Sequence, residues 1–264
     1  MEYATIFVFL IFIRTMKELD ETDLTLYSSF KITSADTDMF MRVRLGGVIN
    51  LLIQSAINSA ESLGFGFKGL RKQQLYWVLS RMTVEIYRPL TWNEEAEVET
   101  WPKTIEGLLY MRDYIMRDKT QNIVARATSG WLAIDAETKK PKLLDAIESE
   151  LFTHLREKHG ISEAPEKLST TTEGDVFKVQ SGYFDIDLNR HVTSTRYIDW
   201  MMDTFSVDFH KHHFAKRISI NFMKETMPGD SICIMRSTTD GLQYSFEGIN
   251  HIHKTVAFRG KIDF

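Results

Sequence analysis

The chain has 264 residues, enough for one large domain or two modest ones, and 43% of them are hydrophobic while 26% are charged. These proportions, together with 17 Phe, 9 Tyr and 5 Trp, are typical of a globular protein with a packed core, and they exclude wholesale disorder. Lys and Arg number 32 against 36 Asp and Glu, so the formal net charge of −4 gives no electrostatic argument for nucleic-acid binding.

The cysteine content and the N-terminal residues indicate where in the cell the protein is expected. Cys233 is the only cysteine, so no intramolecular disulfide can form and a reducing, cytoplasmic location is expected. An apolar run at Tyr3–Ile13 is shorter than the roughly 20 residues that a spanning helix needs, and no basic residue precedes it. We interpret residues 1–15 as the product of a start codon assigned too far upstream, with a membrane-touching segment as the alternative.

In chain order, the first half of the sequence predicts a strand, one long helix and four further strands. The helix is predicted over Leu45–Leu63, because apolar residues such as Val48, Leu52 and Ala56 recur there at helical spacing. Runs of β-branched and aromatic residues between turn signals predict the strands. These strands cover Tyr27–Thr33, Tyr76–Tyr87, Ala96–Pro102, Leu108–Met116 and Ile123–Ile134.

The same pattern returns after a charged segment that contains prolines and a Ser/Thr cluster. This segment predicts a linker over residues 146–174, with one helix around Glu148–Glu157. A strand, a helix at Ser194–Phe205 and four more strands follow, which indicates a degenerate tandem repeat. The strands of the second half cover Val176–Tyr183, Ile218–Met223, Ser231–Arg236, Gln243–Asn250 and Val256–Asp263.

The repeat predicts two modules, residues 16–145 and 175–264. A single long helix and antiparallel strands bury their apolar faces only if the sheet curls around the helix, which places each module in the α+β class. Two such modules would pair side by side. The crevice between them suits a long apolar ligand whose polar end meets residues at the helix termini, and an acyl thioester has that shape.

The densest polar cluster is Asp187, Asn189 and His191, immediately before the second predicted helix. In an extended backbone, residues two apart project to one side, so a carboxylate, an amide and an imidazole would converge there. Hydrolysis of a thioester needs a base that activates water and a donor that stabilises the oxyanion, and these side chains supply both. Asp and Asn are also common in turns and helix caps, so the spacing alone favours a structural turn.

Three other features are weaker candidates. The histidines of His210–His213 are suited to a metal, but no acidic or cysteine partner lies at a diagnostic spacing, so we expect a solvated loop and no metal site. Two basic clusters, Lys68–Lys72 and His210–Arg217, are typical of solvated surfaces, although either would attract an acidic partner. Cys233 lies in a predicted strand and is interpreted as a buried small hydrophobe.

The segment Ser181–Asp203 (SGYFDIDLNRHVTSTRYIDWMMD) resembles the signature segment of the acyl-acyl carrier protein thioesterases of plants and bacteria. In the first half, Leu75–Trp101 resembles the family's W-V-x-x-R-M start and V-x-T-W strand, and Ala125–Asp135 resembles its A-T-S-x-W segment. The likeness covers most of residues 24–264. It implies a tandem hotdog fold, in which each module wraps a curved antiparallel sheet around a long helix.

The resemblance implies that Asp187, Asn189 and His191 are catalytic and that Glu225 joins them. A second carboxylate would hold the imidazole or the water in place, whereas the alternative is a solvated charge near a turn. Plant members commonly have cysteine after this glutamate, but Thr226 stands here. Because threonine is a poor nucleophile without a dedicated base, this departure favours water activated by a carboxylate.

The first module is expected to bind the acyl chain and not to catalyse. Alignment of the two helix approaches places Asp38, Phe40 and Arg42 opposite the catalytic motif, so the amide and the imidazole are missing there. Glycines on the long helix would leave room for a ligand, although close packing of the helix is the alternative explanation. The residues that we assign to substrate binding are Gly47, Leu52, Trp77 and Arg81.

The expected activity is hydrolysis of a fatty acyl thioester carried by acyl carrier protein, an acidic protein that bears phosphopantetheine, and no cofactor is needed. A hotdog acyl-CoA thioesterase is the nearest enzymatic alternative, and a non-catalytic acyl-binding module is the alternative from a different class. Both a monomer and a homodimer are compatible with the sequence, because a tandem hotdog already contains the pairing that single modules achieve by dimerising.

Overall fold

A computed structural model describes residues 24–144 and 151–264, so the apolar run at 3–13 and our interpretation of it lie outside the described residues. Among the described helices, none is long and apolar enough to cross a membrane. The helices are α1 (Leu45–Ser62), α2 (Phe67–Lys72), α3 (Ser194–Met202) and α4 (Val207–His212). The strands are β1 (Leu26–Lys31), β2 (Leu75–Ile86), β3 (Glu95–Glu106), β4 (Leu109–Asp118), β5 (Ile123–Asp135), β6 (Asp175–Gln180), β7 (Arg217–Phe222), β8 (Ser231–Asp240), β9 (Gln243–Asn250) and β10 (Thr255–Asp263).

These ten strands form one sheet in the order β1-β3-β4-β5-β2-β7-β10-β9-β8-β6. The second five strands repeat the arrangement of the first five in reverse, so the sheet has approximate twofold symmetry about the antiparallel β2–β7 pair. Thr83 opposes Ser219 in that pair, and their hydroxyl oxygens are 3.1 Å apart. The predicted tandem repeat is therefore confirmed, and its two modules share a continuous sheet.

The long helix α1 and its counterpart α3 contribute to one hydrophobic core that crosses both modules. The apolar stripe of α1 that the spacing predicts is buried, with Leu52 at 1% exposure and Ile49 at 0%. Where the two helices meet, a Cβ added to Gly46 would overlap the Asp199 carboxylate. The glycine therefore permits close approach of helix to helix, as a residue without a side chain does at a crowded crossing.

A second hydrophobic cluster lies in the first module and is separate from the shared core. Because alternate side chains of a strand face opposite sides of the sheet, Tyr114 packs in the shared core while its neighbour Ile115 packs in the second cluster. Residues 151–161 cover this cluster and contribute Phe152 to it. The Nε1 of Trp101 donates a hydrogen bond of 3.1 Å to the carbonyl oxygen of Lys158.

The predicted linker is a packed part of the fold. Gly160 N and Lys103 Nζ lie 2.8 Å and 3.0 Å from Asp113 Oδ2. Burial raises the pKa of Asp113, an effect that Lys103 opposes. Further along, the Glu166 backbone nitrogen donates to Thr83 Oγ1 at 3.4 Å, and its carboxylate accepts from the Ser219 hydroxyl at 3.3 Å.

Short helices and one predicted helix depart from the sequence expectations. Neither α2 nor α4 is predicted, because six residues hold too few turns for a periodic signal. The helix α3 ends at Met202, before the predicted Phe205, since Ser206 begins a new helix by accepting a hydrogen bond from Phe209 N at 3.1 Å. In the described part of the linker, residues 152–157 form turns where a helix was predicted.

Candidate active site

The predicted catalytic motif forms a tight turn. Asp187 N donates to His191 O at 2.9 Å, and Arg190 between them has a φ of 68°. Asp187 Oδ1 accepts from the backbone nitrogens of Asn189 at 2.8 Å and His191 at 3.4 Å. The backbone is therefore not extended here, and the turn that the spacing alone favoured is present, because the aspartate accepts hydrogen bonds from the residues that follow it, as Asp commonly does in turns.

The turn places His191 beside Glu225. Glu225 lies in the loop that follows β7, and this loop is held to the turn by a hydrogen bond of 2.9 Å from Val192 N to Thr226 O. His191 Nε2 is 3.3 Å from Glu225 Oε2, and the two side chains are 30% and 58% exposed. An imidazole and a carboxylate are thus paired at a position that solvent reaches.

The four predicted catalytic residues differ in what they contact. His191 and Glu225 are brought together. Asp187 is half-buried, and its Oδ1 accepts hydrogen bonds from the backbone of the turn, while Asn189 is exposed in the middle of the turn. A neutral imidazole that donates to Glu225 through Nε2 keeps Nδ1 as a proton acceptor. The pair is therefore suited to removing a proton from water.

An ion-pair network that was not predicted from the sequence joins the segment before the turn to α3. Arg196 Nε lies 2.6 Å from Asp185 Oδ1, and Arg196 Nη1 lies 2.9 Å from Asp199 Oδ2. Asp185 also accepts a hydrogen bond of 2.7 Å from Gly182 N. Burial raises the pKa of Asp199, and the neighbouring Arg196 opposes this effect. The three-residue spacing of Arg196 and Asp199 on a predicted helix was the available signal.

The first module contains the same turn at Asp38–Arg42. Asp38 N donates to Arg42 O at 2.7 Å, and Met41 has a φ of 62°. Asp38 Oδ1 accepts from the backbone nitrogens of Phe40 at 2.8 Å and Arg42 at 3.0 Å. The backbone geometry thus agrees with the alignment of Asp38, Phe40 and Arg42 with the catalytic motif.

Arg42 performs a different task from His191, its counterpart. Its Nη2 lies 3.0 Å from Asp38 Oδ2 and donates to the carbonyl oxygen of His210 at 2.6 Å. Its Nη1 donates to the carbonyl oxygen of His213, which follows the last residue of α4, at 3.2 Å. The guanidinium carbon lies 4.8 Å from the centre of the Phe40 ring. Arg42 therefore connects the first module to the end of a helix in the second.

A cavity of about 380 Å³ lies beside the turn of the first module and is lined by residues of both modules. Pro89 in its wall corresponds to Glu225, because Val43 N donates to Leu90 O as Val192 N donates to Thr226 O. At the positions of His191 and Glu225 this cavity therefore has Arg42 and Pro89, so it lacks the imidazole–carboxylate pair of the second module.

The contacts of the other candidates from the sequence are consistent with structural roles. Ring nitrogens of His210 and His213 lie 3.0 Å and 2.9 Å from the carbonyl oxygens of Met202 and Phe209. Cys233 is half-buried on β8, where full burial was predicted. In the second basic cluster, Arg217 pairs with Glu85 and Lys216 donates to the carbonyl oxygen of Phe264.

Two of the residues assigned to substrate binding lie on α1. A Cβ on Gly47 would lie 3.2 Å from Val43 Cγ1 and 3.4 Å from Asp36 O, so close packing is sufficient to account for this glycine. Leu52 is buried in the shared core.

The other two lie on β2. Trp77 is half-buried, its Nε1 donates to Phe65 O at 2.8 Å, and its ring packs edge-on against Tyr110 with centroids 5.0 Å apart. Arg81 is half-buried and opposes Asn221 of β7.

Comparisons with solved structures confirm the predicted α+β tandem hotdog fold. An acyl-ACP thioesterase from Bacteroides thetaiotaomicron VPI-5482 superposes with a TM-score of 0.85 at 25% identity, covering 93% of this chain and 100% of that chain. The 12:0-ACP thioesterase from Umbellularia californica superposes with a TM-score of 0.77 at 20% identity, covering 91% and 96% of the two chains. At that identity the second likeness shows the fold alone.

Sequence comparisons give the same family. The chain is 25% identical to oleoyl-acyl carrier protein thioesterase 1, chloroplastic, of Arabidopsis thaliana over 84% of its length, and it spans 66% of that protein. It is 26% identical to the dodecanoyl-[acyl-carrier-protein] hydrolase, chloroplastic, of Cinnamomum camphora over 81% of its length, and it spans 59% of that protein. Family models for the acyl-ACP thioesterase N-terminal and C-terminal domains match residues 23–153 and 168–263. The chain therefore belongs to the acyl-ACP thioesterase family.

Proposed function

We propose that this protein hydrolyses fatty acyl thioesters of acyl carrier protein to a free fatty acid and the carrier protein. The observation that carries the proposal is the 3.3 Å contact between His191 and Glu225, in a chain that belongs to the acyl-ACP thioesterase family. The relatives' names specify different acyl chains, oleoyl and dodecanoyl, so they support the class of substrate and not one chain length.

In the proposed reaction, a water molecule beside His191 attacks the thioester carbonyl. His191 accepts the proton of the water at Nδ1, while Glu225 holds the ring through Nε2 and stabilises the imidazolium. Asp187 Oδ2, the oxygen that the turn does not use, orients the water. The amide of Asn189 and backbone N–H groups at the start of α3 stabilise the oxyanion, and the proton passes to the departing thiolate.

The proposal divides the labour between the modules. Residues 175–264 supply the catalytic groups, residues 16–145 hold the acyl chain, and residues 146–174 join them. Trp77 supports the second assignment, because its half-buried ring belongs to an apolar aromatic cluster with Tyr110 and Phe152. We also assign Gly47, Leu52 and Arg81 to acyl binding; Leu52 lies in the shared core, whereas Trp77 packs against the second cluster.

Release of thiol from acyl-carrier protein thioesters of several chain lengths tests the proposal, with Asp187→Asn beside the wild type. Asparagine keeps an oxygen that accepts the backbone hydrogen bonds of the turn, so this variant should fold while losing the negative charge. We expect turnover at least about 100-fold below the wild type. Wild-type rates in a folded Asp187→Asn protein would contradict the assignment.

Parallel assays separate the alternatives. Faster turnover of acyl-CoA than of the matching acyl-carrier protein would identify an acyl-CoA thioesterase. Retention of the acyl chain without turnover would identify an acyl-binding module.

A further inference from the structure

Three projecting apolar side chains lie in the segment that leads to His191. Tyr183 and Phe184, in the single-turn helix before the motif, are 87% and 90% exposed, and Leu188 in the turn itself is 87% exposed. The two rings pack edge-on with centroids 5.3 Å apart, so they form one surface. Contact of apolar surface with water is unfavourable, and such patches often mark interaction sites.

Hydrogen bonds tie this patch to the site. Thr193 N donates to Asp185 O at 2.8 Å, and the Ser181 hydroxyl donates to Met227 O at 2.7 Å. The segment that bears the rings therefore lies between the catalytic turn and the loop that bears Glu225. Met223 and Met227 of that loop are themselves 48% and 44% exposed and extend the apolar surface.

Two cations accompany the apolar side chains. Arg190 lies in the catalytic turn and Lys224 directly precedes Glu225, and both are exposed. Neither forms an ion pair with any residue that the structure describes. Arg217, from a basic cluster that the sequence suggested as an attraction for an acidic partner, is by contrast engaged with Glu85. Two cations without an ion-pair partner, Arg190 and Lys224, thus directly precede His191 and Glu225 in the sequence.

The first module shows that the fold does not require the aromatic pair. Its single-turn helix, Ser34–Asp36, has the same place before the same turn, and Ser34 and Ala35 stand where the second module has Tyr183 and Phe184. A small, polar surface is therefore compatible with this backbone.

The counterpart of Lys224 is also different. Arg88 occupies that position, because Leu90 O and Thr226 O accept equivalent hydrogen bonds. Arg88 is neutralised by Glu94 at 2.9 Å and Asp118 at 2.7 Å. At these equivalent positions the first module has neither exposed aromatic rings nor an uncompensated cation, whereas the second module has both.

We propose that Tyr183, Phe184, Leu188, Arg190 and Lys224, here called the rim, form the docking surface for the acidic protein that presents the acyl thioester on its phosphopantetheine arm. The rings and Leu188 would contact apolar side chains of the partner, and the two cations would meet its carboxylates. The location of the rim delivers the arm directly to His191. This inference rests on the proposed function and adds the surface that recognises the protein part of the substrate.

The test compares wild type with the double variant Tyr183→Ser/Phe184→Ala, which installs the residues of the first module. Each protein is assayed with an acyl-carrier protein and with the CoA thioester of the same acyl chain. We expect kcat/KM for the carrier substrate to fall at least about 10-fold, mainly through KM, while kcat/KM for the CoA thioester stays within about 2-fold. Met39→Ala is the matched control, since Met39 is the 74% exposed counterpart of Leu188 on the other module.

Titration of unacylated holo-carrier protein, followed by the fluorescence anisotropy of a label on the carrier, measures docking without chemistry. Weaker binding to the double variant with unchanged binding to Met39→Ala supports the rim. Equal binding and equal kinetics in an active double variant would overturn the rim and leave the proposed function standing. Wild type that acts on the CoA thioester but gains nothing from the carrier protein would overturn both. A dimer that only the double variant dissociates would assign the rim to self-association instead.

Discussion

The turns Asp38–Arg42 and Asp187–His191 have the same backbone and different chemistry. In both, the first aspartate accepts two backbone hydrogen bonds and the fourth residue has a positive φ. What differs is the last residue: His191 contacts a carboxylate near solvent, whereas Arg42 contacts carbonyl oxygens of α4. The aspartate therefore serves the turn in either module, and only one turn can perform acid–base chemistry.

The comparison separates two roles that a motif of this kind combines. Residues that shape the backbone recur in both modules, while the groups proposed to move protons occur in one. Substitution at equivalent positions should accordingly affect stability in the first module and turnover in the second.

The largest expected effect is that of His191→Ala on turnover. This variant lacks the group that takes the proton of the water in the proposed reaction, so kcat for the best acyl-carrier substrate should fall at least about 100-fold. Thiol release measures the rate, and the melting temperature should change little because His191 is partly exposed. A variant that keeps the wild-type rate would show that the catalytic groups lie elsewhere.

Glu225→Gln should have a smaller effect of the same kind. The amide can still accept a hydrogen bond from His191 Nε2, but it no longer stabilises an imidazolium, so kcat should fall on the order of 10-fold to 100-fold. Glu95→Gln, at an exposed carboxylate of the first module, is the control. Equal rates for both variants would show that Glu225 is a solvated charge without a role in catalysis.

Leu52→Ala tests the acyl site of the first module. Loss of this buried side chain should lower the free energy of unfolding by about 2–5 kcal/mol and extend the preferred acyl chain, because the space it fills becomes available. Ile232→Ala in the second module removes an equally buried side chain and should destabilise the protein without altering chain-length preference. If both variants keep the wild-type chain-length profile, the acyl chain does not lie along α1.

Arg42→Met should weaken the protein and leave catalysis intact. It deprives two carbonyl oxygens at the end of α4 of their donor, which should lower the free energy of unfolding by about 1–3 kcal/mol in chemical denaturation. Lys211→Met, on the exposed side of the same helix, should be nearly neutral. A large loss of kcat in folded Arg42→Met would mean that the two turns are functionally coupled.

Cys233→Ser should have the smallest effect. The nucleophile in the proposed mechanism is water, and the Cys233 thiol lies on β8, 4.0 Å from His251 Nδ1. Turnover should therefore stay within about 2-fold of wild type, as for an exchange outside the catalytic site. Abolished turnover with an unchanged melting temperature would restore a thiol mechanism.

Periodic elements were accessible from the sequence, and local departures were not. The helix α1 was predicted because Val48, Leu52 and Ala56 repeat at the period of a buried helix. The strands were predicted from runs of β-branched and aromatic residues between turn signals. The spacing at Asp187–His191 favoured a structural turn, and the turn is present because the aspartate accepts hydrogen bonds from its own backbone. Projection of the three side chains to one side was inferred from the two-residue period of a strand, which this turn does not have.

The residues of the site could be predicted only where they are close in sequence or where the surrounding segment resembles that of a known family. Glu225 lies 34 positions after His191, and the resemblance, not the spacing, suggested that they act together. The bond from Arg42 to the carbonyl oxygen of His210 spans 168 positions, and no local pattern reports a contact that depends on how two modules pair.

Glu166 lies between Thr83 and Ser219, at the approximate twofold axis of the sheet. A position on this axis has no symmetric counterpart, so a single residue fills it. In an assembly of two identical chains, every inherited substitution appears twice, and a side chain on the axis would meet its own copy. A fused chain is free of both restrictions. Mutation and selection can therefore act on each half separately. One turn can carry an imidazole, while the other carries an arginine that connects the two modules.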